Sequence, residues 1–200
     1  MNDLRFIASP WWVNLLIFVP LLVFLWFRNN LLMISKKHLF IAALFGMAFG
    51  FVEASVAVYL RAAAGFLPGF MGRLSHLTQK IPSFYQPGQI LNHLPQTLLT
   101  VEVEREAATI IMLASLALLT AKKFRDRCAI FLWVFAAWDI SYYLSLWLTI
   151  GWPDSLTNPD VLFLIPVPWY APVWFPILVS SLTMIAIALC APKRRKGVFL

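Results

Sequence analysis

Residues 40–60 read FIAALFGMAFGFVEASVAVYL, an apolar stretch of 21 residues that contains a single acid, Glu53. A helix that crosses the hydrocarbon core of a bilayer needs about 20 mostly apolar residues, so this stretch predicts a transmembrane helix. Small residues recur at every fourth position along it, at Ala42, Gly46, Gly50 and Ala54. Because such a stripe lets helices approach closely in lipid, the stretch is predicted to be central in a bundle or to lie at a dimer seam.

The rest of the chain has the composition of a multi-pass membrane protein. Of its 200 residues, 61% are hydrophobic and only 12% are charged, and the mean hydropathy is +0.78. A typical soluble domain is about half apolar and about a quarter charged. This composition therefore excludes a soluble globular domain. The chain also has only two cysteines and no glycine repeat, which excludes a disulfide scaffold and a collagen.

Five stretches are long and apolar enough to span a bilayer: about 11–27, 40–60, 103–121, 128–148 and 172–191. The first is rich in bulky residues and has no small-x-small cleavage site after it, so it is kept as a span rather than a signal peptide. We therefore predict an all-α fold, in which residues 1–200 form a single transmembrane domain of five helices.

The basic residues predict how these helices are oriented. Eleven of the 16 Lys and Arg residues lie between spans one and two, between spans three and four, or after span five. Cytoplasmic loops carry an excess of Lys and Arg, so the N-terminus is predicted outside and the C-terminus in the cytoplasm. The bilayer is the expected partner of this basic rim, and nucleic acid is not needed to explain it. The expected location is the inner membrane of a bacterium.

Two segments are predicted to cover the outer side. In residues 66–81, apolar residues recur at helical spacing, which predicts an amphipathic helix on the outer leaflet. Residues 151–171 belong to a proline-rich region that argues against a regular helix and predicts a lid or cavity wall. A simpler alternative for the second segment is an aromatic belt at the membrane interface, with Trp152, Trp169, Tyr170 and Trp174 as its anchors.

Three of the acids inside predicted spans are candidate site residues: Glu53, Glu106 and Asp139. The helix rise places all three in the outer half of the membrane. Ionisable side chains are costly in lipid, so each marks a candidate functional site. Polar residues near them on the helices complete the set: Glu102, Arg105, Arg61, Tyr142, Tyr143, Ser180 and Ser181. If these faces converge, they form a pocket that opens outward.

Such a pocket suits a hard cation, a proton or a polar lipid headgroup. Paired carboxylates would equally suit a small membrane enzyme that uses them as acid and base, so catalysis is left open. A third class is a non-catalytic accessory subunit of a larger membrane complex, or a homo-oligomer. In a purely structural alternative, Arg61 and Arg105 neutralise nearby acids and Asp139 bonds a neighbouring helix. The inner halves of spans two to five are nearly all apolar, which argues against transport through the membrane.

The sequence predicts no cofactor. Haem inside a membrane usually needs His or Met ligands on helices, and the three histidines lie outside the predicted spans. A zinc site would have to use His76 and His93, and neither HExxH nor CxxC is present. The sequence has no P-loop, GxSxG or dinucleotide motif, so it does not support an ATPase or a serine hydrolase.

Overall fold

The computed structural model describes residues 7–28, 32–63 and 95–191, and the structural statements below concern these ranges. The protein is mostly helical. A 3₁₀ helix at Trp11–Phe18 continues directly into α1. The remaining elements follow in chain order: α1 (Val19–Arg28), α2 (Lys36–Ala63), α3 (Gln96–Thr120), α4 (Phe124–Ile150), β1 (Pro159–Phe163), β2 (Trp169–Pro172) and α5 (Trp174–Cys190).

Within the described ranges, three helical stretches are long and apolar enough to cross a membrane: Trp11–Arg28, Lys36–Ala62 and Phe124–Ile150. They lie at three of the five predicted spans, and a membrane location follows from them. The other two predicted spans are also helical. Of these, α5 is apolar but has only 17 residues, and α3 has 25 residues with several charges in its first half.

The small-residue stripe of α2 packs against α4 of the same chain. A Cβ atom added to Gly46 would lie 2.7 Å from the backbone oxygen of Val134, and one added to Gly50 would lie 2.7 Å from that of Trp138. Real Cβ atoms do not approach a backbone oxygen so closely, so only glycine fits at these two positions. The glycines therefore bring α2 into close contact with the backbone of α4. Within the described residues the central helix is α4, which packs against α2, α3 and α5, so the prediction of a central α2 is wrong.

The main apolar core lies toward the end of the bundle where α4 begins. Fully buried side chains from four helices meet there, including Phe27, Leu113, Ile130 and Ile187. The carboxylate of Asp126 accepts a hydrogen bond of 3.0 Å from the backbone N–H of Met33, which closes this end. Polar side chains gather toward the opposite end of α4, and the candidate site lies there.

The segment predicted as a proline-rich lid contains a small antiparallel sheet. Strands β1 and β2 pair Pro159 with Pro172 and Val161 with Tyr170. The all-α prediction is therefore wrong for this segment. Prolines are tolerated at the ends and edges of a two-stranded sheet, and β-branched and aromatic residues between them favour strands. The predicted amphipathic helix at residues 66–81 lies outside the described residues.

Candidate functional site

A polar cavity of about 170 Å³ lies among the ends of α2, α3 and α4, closed on one side by β1. Eight of the ten candidate residues from the sequence line it: Glu53, Arg61, Glu102, Arg105, Glu106, Asp139, Tyr142 and Tyr143. They come from three helices that are distant in the chain. The polar faces of these helices therefore meet at one cavity, a condition that the sequence left open.

Arg105 is the centre of a charged cluster that joins two helices. Its Nε and Nη2 atoms donate to the same oxygen of Glu102, at 3.0 and 2.7 Å, across one turn of α3. Its Nη1 atom forms an ion pair with the carboxylate of Glu53 on α2. One guanidinium thus serves two carboxylates, so the cluster keeps a net negative charge when all three groups are ionised.

Glu106 is held by backbone rather than by a basic side chain. Both of its carboxylate oxygens accept from the N–H of Leu164, at 3.1 and 2.8 Å, and one also accepts from the N–H of Ile165, at 3.1 Å. The side chain is almost fully buried. Glu106 therefore links α3 to the loop that follows β1, and these hydrogen bonds hold this part of the cavity wall in position.

Asp139 joins α4 to α5. Its Oδ2 atom accepts a hydrogen bond of 2.7 Å from the hydroxyl of Ser180; Ser180 is buried and Asp139 is half-buried. Ser180, a candidate from the sequence, is thus placed as the partner of Asp139. Ser181, the next candidate, lies on the partly exposed face of α5.

Asp160 is a cavity residue that the sequence reasoning missed. It lies in β1, is only 6% exposed, and accepts a hydrogen bond of 3.0 Å from the hydroxyl of Tyr143. Burial raises the pKa of Asp160 to about 6, although the positive charge of Arg61 and the bond from Tyr143 act in the opposite direction. The prediction started from acids inside the predicted spans, and Asp160 is one of two acids in the predicted lid, with Asp154.

Carboxyl groups outnumber guanidinium groups in the lining of the polar cavity. Five carboxyl groups line it, those of Glu53, Glu102, Glu106, Asp139 and Asp160, while the described lining residues include two guanidinium groups. Aromatic rings complete the walls: Trp138, Tyr142, Tyr143 and Phe163. Carboxylates and aromatic faces together are the groups that attract organic ammonium ions.

A second, larger cavity of about 560 Å³ adjoins the first. Its walls are apolar side chains of α1, α3, α4, α5 and the hairpin, among them Val19, Ile110, Phe131 and Val179. Four residues line both cavities: Glu106, Asp139, Leu162 and Phe163. The polar and the apolar cavity are therefore neighbours that share one wall. Ser181 lines neither of these two cavities.

The described residues do not assemble a cluster typical of a metal site. In the ranges 7–28, 32–63 and 95–191, no group of three or more His, Cys, Asp or Glu side chains is placed to hold a metal ion. His76 and His93, the only pair considered for zinc, lie outside these ranges. No family model, curated protein or solved structure matches the chain.

Proposed function

We propose that the chain crosses the membrane five times, with its N-terminus outside and its C-terminus in the cytoplasm. Contacts between distant segments support this path. Ser9, just before the first span, exchanges two backbone hydrogen bonds with Tyr170, at 2.8 and 2.7 Å. Met33, before α2, and Asp126, in the first turn of α4, are bonded to each other at the end of the bundle that we propose to be cytoplasmic. Each pair joins two segments that a five-span path places on the same side.

The function that we propose is the binding of a cationic polar group, an organic ammonium, in the polar cavity from the outer side. The observation that carries this proposal is the excess of five carboxyl groups over two guanidinium groups around an aromatic-lined space. A cavity of about 170 Å³ holds on the order of ten water molecules. It therefore suits a small amine or quaternary ammonium group.

An anionic ligand is a poorer fit to the same walls. The guanidinium of Arg105 is already engaged by Glu102 and Glu53. The guanidinium of Arg61 lies over the ring of Trp152, with its carbon 4.1 Å from the ring centroid. An anion would have to displace these contacts and would meet several carboxylates, which repel it.

A second candidate function is acid–base catalysis on a ligand held in this cavity. The hydrogen bond from Tyr143 to Asp160 favours this function. A carboxyl group that is hydrogen-bonded to a hydroxyl group can act as a general acid or base toward a substrate. An accessory-subunit role has less support, because Gly46 and Gly50 of the small-residue stripe pack against α4 in the same chain rather than at a seam with another chain.

Titration with simple ammonium ions tests the binding proposal. The full chain in nanodiscs of neutral lipid is heated with increasing tetramethylammonium or ethylammonium, and the unfolding midpoint Tm is recorded. Both ions are expected to raise Tm in a saturable manner, because a ligand that binds only the folded state stabilises it. Sodium and acetate, at matched ionic strength, are expected to do so far less.

Asp139→Asn is the decisive variant, because asparagine keeps an acceptor for Ser180 while removing the charge. It is expected to fold and to lose the saturable increase in Tm. Glu104→Gln is the matched control, since Glu104 is exposed on α3 between two cavity residues. A wild-type chain that no ammonium ion stabilises, or an equal loss in both variants, would overturn the proposal.

A further inference from the structure

We propose that the ligand is a single-chain amphiphile with a cationic head, whose head occupies the polar cavity and whose hydrocarbon chain occupies the apolar cavity. This inference rests on the proposed ammonium binding and adds the chemical class of the ligand. It follows from the arrangement of the two cavities side by side. Neither cavity alone would indicate this class of ligand.

The wall shared by the two cavities has the character of a boundary between a head and a chain. On it, the carboxyl groups of Glu106 and Asp139 stand beside the apolar side chains of Leu162 and Phe163. Both acids are fixed, one by backbone N–H groups and the other by Ser180. A cationic group held beside them would leave an attached chain directed at the apolar side.

The apolar cavity has the size and the lining that a hydrocarbon chain requires. Its volume of about 560 Å³ lies within the roughly 300–1,000 Å³ typical of small-molecule sites. Two hydroxyl groups in its wall are already bonded within the protein: Ser180 to Asp139, and Thr183 to the backbone oxygen of Val179, at 2.7 Å. The indole N–H of Trp169, which also lines this cavity, is buried and has no hydrogen-bond partner among the described residues. Most of the remaining lining is apolar, which suits a hydrocarbon chain.

Charge complementarity selects the amphiphile from other molecules that dissolve in a bilayer. A phospholipid would bring a phosphate close to the carboxylates of the shared wall, where like charges repel. A neutral alcohol or fatty chain would fill the apolar space but would leave the negative polar cavity without a counter-charge. An alkylammonium ion satisfies both cavities at once.

Chain length alone does not test this inference, because a chain dissolved in lipid is already in an apolar medium. A variant that fills the apolar cavity does test it. Ala107→Phe adds a ring to the wall of that cavity, while Ala108→Phe adds the same ring to the exposed face of α3. Dodecylamine and ethylamine are titrated into each variant in neutral-lipid nanodiscs, at known bilayer concentrations.

In the wild type, both amines are expected to bind. Ala107→Phe is expected to weaken dodecylamine about tenfold more than ethylamine, the effect of about 1.4 kcal/mol of overpacking. Ala108→Phe is expected to leave the ratio of the two affinities unchanged. If ethylamine binds the wild type and Ala107→Phe weakens the binding of both amines equally, the amphiphile inference is wrong while the proposed ammonium binding stands. If neither amine binds the wild type, the proposed function itself fails.

A second measurement on the unaltered chain covers the case in which Ala107→Phe does not fold. Dodecylamine carrying a photoreactive diazirine at the end of its chain is bound and irradiated, and the modified peptides are identified by mass spectrometry. Labelling of α3 and α5 at Ile110 and Val179, which line the apolar cavity, is expected. Labelling confined to exposed positions such as Leu119 or Leu148 would place the chain in the surrounding lipid and overturn the inference.

Discussion

Helices α2 and α4 form two very different contacts along one interface. At Gly46 and Gly50 the backbones touch, and there is no room for a single added carbon atom. One turn further along α2, Glu53 lines a polar cavity together with Asp139 and Tyr142 of α4. The first region is stabilised by shape and the second by paired charges. The close contact fixes the position from which the polar side chains reach the cavity.

The largest expected effect tests the charged region. Arg105→Met removes the cation that Glu53 and Glu102 share and leaves two carboxylates without their partner. Removing one member of a buried ion pair costs about 3–5 kcal/mol, and we expect a loss of about 3 kcal/mol because Arg105 is partly exposed. The unfolding free energy in detergent, measured by denaturant titration, checks this.

The carboxylates provide the control for this prediction. Adding Glu53→Gln and Glu102→Gln to Arg105→Met is expected to recover about half of the lost stability, since no charge is then left unpaired. If Arg105→Met alone is as stable as the wild type, the charged cluster contributes no stability. The comparison between shape and charge would then have to be abandoned.

The glycine contact is tested by Gly50→Leu. A Cβ at this position would lie 2.7 Å from the backbone oxygen of Trp138 and 2.8 Å from the Cβ of Ser141. The helices must therefore separate, and the expected loss is about 2–3 kcal/mol. Ala48→Leu, on the exposed face of the same helix, is the matched control and is expected to change stability by less than about 0.5 kcal/mol. An equal loss in the two variants would show that α2 does not need the close contact.

The two regions also differ in how far the sequence predicted them. The glycine stripe depends on residues within a few turns of one helix, so its spacing could be recognised in residues 40–60. The purely structural alternative drawn from the sequence had Arg105 neutralise nearby acids and Asp139 bond a neighbouring helix, and both contacts are present. Which residues pair could not be predicted, because the partners are distant in the chain. Asp160 was missed because its position depends on the β1–β2 hairpin, a long-range feature of a segment predicted to be irregular.

A smaller effect is expected from the titration of Asp160. Its pKa is about 6 in the folded protein, raised from 3.8 by burial, so between these values the folded state holds a proton that the unfolded state has lost. Stability must therefore rise as pH falls. Between pH 7.5 and pH 5.5 the contribution of Asp160 is about 0.8 kcal/mol.

Asp160→Asn separates this contribution from the other groups that titrate in the same range. The stability difference between pH 7.5 and pH 5.5 is expected to shrink by about 0.8 kcal/mol in the variant. Arg61, Tyr143 and Asp139 act electrostatically on or beside Asp160, and they remain in both proteins. A pH profile identical to that of the wild type would mean that Asp160 is not buried as described.

The smallest effect concerns the edge of the cavity, where Trp152 offers its ring to the guanidinium of Arg61. A partly exposed cation–π contact stabilises a protein by about 0.5–1 kcal/mol, so Trp152→Leu is expected to cost about that much. Trp147→Leu, at a position that is 56% exposed, removes the same ring without this contact and is the control.

If Trp152→Leu costs more than the control in the wild type but not in an Arg61→Met background, the loss comes from the contact itself. An equal cost in both backgrounds would instead assign it to the packing of Trp152 against Tyr143, whose ring centroid is 6.3 Å away. Packing would then stabilise this edge of the cavity too. Among the compared contacts, charge would stabilise only the cluster of Arg105 and its two partners.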